Sequence, residues 1–308
     1  MKKRIQNKIA ESRWTLPFVL GYGILIVLAE GLLSKETWVS TICVFLATLL
    51  MAEFNNRFAL IRIYCRLISA SFLVLTLISP QLLTSTSACI AQLAFVSFYI
   101  IFFMAYQDRN AAGLMFYSFC IAGVISLIWV QALYFVPLLW IMMATYNMAG
   151  SIKNIMGSVL GVMAPYWFVS PYYIYKGNLE QLLQHFESLG KFEALADFSS
   201  LSTEQISTFC VISVLFVIGM VHFLRSSYLD KIRIRMTYNT LIVVGLAAIT
   251  FLVLQPQHYD LLIRILLVST SVLIAHFFAL THTKLTNITF VTVATVVFFL
   301  TIYNLLAA

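Results

Sequence analysis

Eleven apolar runs, each 17–21 residues long, follow one another through the 308-residue chain: 15–33, 37–54, 67–83, 88–106, 112–128, 131–148, 155–175, 206–224, 238–255, 261–280 and 288–306. A helix crosses the ~30 Å hydrocarbon core of a bilayer with about 20 apolar residues, since its backbone must satisfy its own hydrogen bonds there. Runs of this length, separated by short polar breaks, predict an all-α fold, a polytopic transmembrane helical bundle of about eleven spans. Only 10% of residues are charged and 61% are apolar, against roughly 25% charged in soluble domains. The expectation is a single integral membrane domain over 1–308, with no soluble domain at either end.

The first 14 residues, MKKRIQNKIAESRW, are basic and lead into the run 15–33. That arrangement imitates a signal peptide. The run exceeds an h-region of roughly 7–15 residues and no A-x-A site follows, so it reads as a retained first span. The least distinct break lies in SLIWVQALYFVPLLW, 126–140, where a turn is placed at Trp129–Gln131. Charge decides between eleven spans and a merged ten. With eleven spans and a cytoplasmic N-terminus (1–14), the inner side holds 15 of the 19 basic residues; Lys35, Lys176, Lys191 and Arg264 fall outside. Merging the fifth and sixth runs would expose the 225–235 basic cluster outside, against the positive-inside tendency. The net charge of +7 therefore reports loop placement and not nucleic-acid binding.

One sizeable loop, 176–205, is placed externally. In NLEQLLQHFESLGK, Leu179, Leu182, Leu183, Phe186 and Leu189 recur at helical spacing and Gly190 is a natural stop. An amphipathic helix lying on the outer surface is expected there, with FEALADF continuing it, and a protein partner could dock on it. Two stretches, RFALIRIYCRL from Arg57 and YLDKIRIRMTYN from Tyr228, share an Ile-Arg-Ile core and a following Pro-Gln. They suggest a weak parallel internal repeat of spans 2–5 in spans 8–11.

Both stretches fall on the predicted inner face. Arg62 and Arg66, and Lys231 and Arg235, are four apart and share a face if helical. With Arg233, they are candidates for binding anionic headgroups or an anionic substrate. Arg264, beside His258, Tyr259 and Asp260, is either an outer phosphate or carboxylate site or a snorkelling side chain paired with Asp260 or Glu30. Glu30 and Glu53 lie near span ends, where they reach water. His185 is the polar centre of the external helix. His222 and His276 sit in apolar runs; a proton relay needs an adjacent acid within the membrane, and none is apparent. GSVLG, Gly157–Gly161, lets a second helix approach closely. Pro137, Pro165 and Pro171 point to spans 6 and 7 as the lining of any cavity.

Five cysteines, without a C-x-x-C pair, read as free thiols. Neither metal nor cofactor is expected. No Walker A, H-E-x-x-H or G-x-S-x-G sequence occurs, which excludes ATP-driven pumping by this chain alone.

The runs NNRFALIRIYCRLISASFL, FYIIFFMAYQDR, YFVPLLWIMMAT and APYWF resemble a family of uncharacterised polytopic membrane proteins of Bacteroides-type bacteria. The resemblance covers the first 175 residues. It implies a multi-pass protein of the inner membrane and carries no site residues. Three functions fit the sequence: a carrier or flippase for a lipid-linked or amphiphilic envelope substrate, a non-enzymatic scaffold of an envelope machine, or an envelope glycan polymerase or ligase acting at the outer face.

Overall fold

The computed structural model describes residues 4–29, 31, 37–192 and 195–307, with the Leu179 side chain excepted. Glu30, Lys35 and Glu193 lie outside the described residues. All regular structure described is helical. The helices are α1 Ile5–Glu11, α2 Thr15–Ala29, α3 Trp38–Phe58, α4 Leu67–Thr76, α5 Thr86–Met104, α6 Ala112–Ile128, α7 Phe135–Thr145, α8 Ile152–Tyr175, α9 Leu179–Glu187, α10 Thr203–Ser226, α11 Ile232–Leu254, α12 Tyr259–Leu280 and α13 Lys284–Ala307. Among them, α3, α5, α10, α11, α12 and α13 are long and apolar enough to cross a membrane. The pair α1 and α2, bent by 93°, passes the same test as one broken span.

Local chemistry sets the boundaries. Ser202 opens α10 with a reciprocal capping box to Gln205. Ser85 and Ser151 accept the N–H groups of Ala88 and Asn154 at the starts of α5 and α8. Ala59, at φ 49°, ends α3 in the left-handed region. Pro80 and Pro256 each begin a 3-10 turn just ahead of a long helix, where a missing N–H costs nothing. The break between the fifth and sixth runs falls as expected: α6 stops at Ile128, Trp129 is extended, and Val130–Tyr134 forms a 3-10 turn before α7.

The bundle is organised around α12. It is apolar on every side, so it is stable only when enclosed. It packs against α1, α4, α5, α10 and α11 and is almost wholly buried. The short α4 is likewise buried, its Ser71 hydroxyl bonded to the Ser271 carbonyl of α12 at 3.1 Å. A second tight seam joins α6 and α8. A Cβ on Gly157 would lie 2.6 Å from the Ala112 carbonyl oxygen, and one on Gly161 2.5 Å from that of Phe116. The expected close approach at this G-x-x-x-G is what holds α8 in place.

The two Ile-Arg-Ile stretches fold differently. Ile232–Ile234 opens α11, whereas residues 59–66 carry no helix. Arg62 and Arg66 therefore do not form the helical face expected of them; the left-handed Ala59 breaks the helix first. The proline-led turns recur, and α3 packs on α5 as α10 packs on α12. The ten-residue α4, however, stands where α11 has 23 residues.

Candidate functional site

Two features stand out, a polar cluster at the basic end of the bundle and a lateral cleft beside α13. The cluster grows from Asp230, in the turn between α10 and α11. Its carboxylate is buried, with Arg62 Nε 3.0 Å from Oδ1 and His276 Nε2 3.1 Å from Oδ2. Arg62 also reaches the Leu229 carbonyl at 3.4 Å. The two Ile-Arg-Ile stretches are thus clasped to each other. His276 is fully buried on α12, with Tyr238 at 5.1 Å and Phe223 at 5.3 Å between ring centroids. His222, on α10, lies 5.6 Å away. An acid thus stands beside His276, supplied by the turn between α10 and α11 and not from within a span. Asp230 was legible only as the lone acid between Glu204 and Asp260; a loop position hides the fact that it folds inward. Nearby, burial pushes the Cys65 thiol up to about 11, against the smaller opposing effects of the Leu67 N–H and the Arg66 charge.

The other predicted residues disperse. Arg66 is held by the Tyr64 hydroxyl at 3.3 Å and Asn56 at 3.4 Å. Arg233 donates to the Phe103 carbonyl at 3.2 Å and lies over the Phe58 ring at 5.0 Å. Arg235 is half-buried, with Nε enclosed and without a hydrogen-bond partner among the described residues. Glu53 is exposed near the end of α3. His185 bonds the Ser126 carbonyl at 2.9 Å and so ties α9 to the end of α6.

Arg264 pairs with Asp260 as one expectation had it, but not at the surface. It neither snorkels nor faces outward but is fully buried. Its guanidinium bonds Gln92 Oε1 at 2.8 Å, Asp260 Oδ1 at 3.1 Å and the Leu82 carbonyl. These partners occupy the fork, leaving α12 locked to α5 and no room for a substrate anion. His258 turns away to accept the Trp129 indole N–H at 3.2 Å. Among the described residues, Arg264 and His185 have different hydrogen-bond partners.

The cavity also lies away from spans 6 and 7. The space that α7 shares with α5, α6, α11 and α12 measures about 30 Å³. A cleft of about 260 Å³ opens instead between α1, α2, α4, α12 and α13, with walls such as Val19, Val74, Ile274, Phe278, Phe290 and Val293. Ser71 and Thr15 are among its few polar contributors. Two further spaces flank α13, about 250 Å³ against α10 and about 260 Å³ against α2. They adjoin the first through Val293, Val297 and Phe298.

Short side chains in TFVTVATVV explain this: α13 presents Val, Thr and Ala where packing would need bulk. Hydrogen bonds hold its ends. Gln6 and Asn7 of α1 fasten the α12–α13 corner through Asn287, Thr286 and the Thr281 carbonyl. At the far end, Asn304 donates to the Ile78 carbonyl at 2.7 Å and to Thr208 at 3.1 Å. The helix is pinned at both ends and hollow at its waist.

Comparison with protein-family models, curated proteins and solved structures finds no match. Among the described residues, no group of three or more His, Cys, Asp or Glu side chains is placed to hold a metal ion.

Proposed function

We propose that this is a carrier-type membrane protein that handles a lipid-linked or amphiphilic envelope substrate, admitting its chain sideways into the cleft beside α13. The cleft is the observation that carries the proposal. It is apolar, has about the lower volume of small-molecule sites, and is walled by a helix fixed only at its ends. At its basic end stand α1, with Lys8 exposed, and the α1–α2 turn, with Arg13 exposed, suited to an anionic headgroup. In this account the chain crosses the inner membrane eleven times with its N-terminus cytoplasmic. The positive-inside distribution of basic residues supports that count, although only six helices, or seven with the bent α1–α2 pair, are by themselves long and apolar enough to cross; the inner membrane itself rests on the family resemblance. Deleting the gene and profiling lipids and envelope glycans tests the function. An accumulated lipid-linked intermediate is expected, and unchanged profiles would contradict it.

A scaffold role is favoured by a different observation. Leu183, Phe192 and Leu195 are exposed in the α9 region, an apolar face open to a protein partner. Co-purification of a stable partner that is lost in Leu183→Glu, with lipid profiles unchanged, would establish that role in place of the carrier.

A further inference from the structure

We infer that His276 is a proton-binding site, with Asp230 as its counter-ion and Arg62 as the cation it competes with. This stands apart from the identity of any substrate. Three geometric facts carry it. His276 Nε2 is 3.1 Å from a buried carboxylate oxygen of Asp230, so in the neutral ring that nitrogen bears the hydrogen. The other ring nitrogen, Nδ1, is buried with no hydrogen-bond partner among the described residues. It is the one ring position left for an added proton, and the cost of burying the resulting charge is offset by the Asp230 carboxylate on the other nitrogen. The half-buried His222 of α10 lies beside the His276 ring, with ring centroids 5.6 Å apart.

Every packed element contributes to the balance. The α10–α11 turn supplies Asp230, and the 59–66 segment supplies Arg62 and the Cys65 thiol. From α11 comes Tyr238, whose hydroxyl faces the Leu60 carbonyl at 3.4 Å. From α10 comes His222. The α4 segment has no titratable side chain; α5 offers the buried Tyr99, and α1, which reaches the end of α12 with Gln6 and Asn7, carries Lys8 and Glu11. Among the described residues, Asp230 is the one carboxylate bonded to the ring, shared between two cations once His276 is protonated. Arg62 is the partner free to leave, its side chain being 38% exposed while that of His276 is fully buried. Proton binding therefore weakens the clasp between the 59–66 segment and the α10–α11 turn, and no bond other than N–H is made.

Histidine-labelled full-length protein in lipid nanodiscs, followed by ¹⁵N NMR from about pH 5 to about pH 8, tests this. Loss of a resonance in His276→Gln or His222→Gln assigns each ring. The expected result is an Nε2–H tautomer at the upper end and an imidazolium at the lower end for His276. Asp230→Asn should weaken proton binding about tenfold, and Arg62→Gln should strengthen it. Arg62→Gln alters a half-exposed side chain, so it reads the competition even if Asp230→Asn fails to fold. A His276 ring that stays neutral throughout, or one whose titration Arg62→Gln leaves unmoved, would overturn the inference.

Discussion

Arg264 carries a full charge at a position with no solvent exposure, and its environment tells what it is for. Gln92, the Leu82 carbonyl and Asp260 occupy its guanidinium from three directions. Removing the guanidinium leaves the buried Gln92 Oε1 and the Leu82 carbonyl without their donor, at about 1–3 kcal/mol each, while the half-exposed Asp260 can turn to water. Arg264→Met should therefore lower stability by that order in equilibrium unfolding from detergent micelles. Arg264→Lys should recover little, because an ammonium lacks the planar fork; a wild-type midpoint for both variants would contradict the lock. The cysteines make a second residue-scale prediction. Burial pushes the Cys65 thiol up to about 11, which disfavours the reactive thiolate, whereas Cys210 is exposed. A membrane-permeant maleimide should modify Cys210 and leave Cys65 intact, as peptide mass mapping would read.

At the scale of elements, the α6–α8 seam and the α13 waist are opposites. The seam has no space for a side chain: a Cβ at Gly161 meets the Phe116 carbonyl oxygen, the Cys120 amide and the Phe119 side chain. Gly161→Leu should cost more than about 2 kcal/mol, whereas Gly21→Leu, where nothing lies within 4 Å, should stay within about 0.5 kcal/mol. Thermal melts of the two variants side by side check this. The waist has space to spare, and Asn304 is its main fastening at one end. Asn304→Leu should raise amide exchange in the last turns of α13 while leaving α12 protected. Equal exchange in variant and wild type would show that apolar packing, and not this hydrogen bond, holds the helix.

For the whole molecule, the all-helical architecture was legible because apolar run length is a one-dimensional property. All eleven runs have helices in them, and even the turn at Trp129 could be placed. What stayed hidden was which polar residues fold inward. Asp230 and Arg62 look like ordinary charges in basic loops, and only tertiary contact pairs them. Arg264 seemed an interfacial residue because sequence position near a span end does not report the 3-10 turn of Leu82 folding over it. The cleft was sought near Pro165 and Pro171, yet α8 stays helical through both, and the space arises from short side chains on α13 instead. The eleven-span account also predicts that reporter fusions at the two termini respond on opposite sides of the membrane; same-side signals would contradict it.

The central claim is that the cleft beside α13 takes up an acyl chain together with an anionic headgroup. Its most direct test is photocrosslinking of the reconstituted protein with a diazirine-tailed anionic phospholipid, followed by mass mapping. The account predicts adducts concentrated at cleft residues such as Val74, Ile274, Phe290 and Val293, displaced by excess anionic lipid and lost in Val293→Trp. Adducts spread evenly over exposed helix faces such as Phe18, Leu28 and Phe299, unchanged by Val293→Trp, would contradict it.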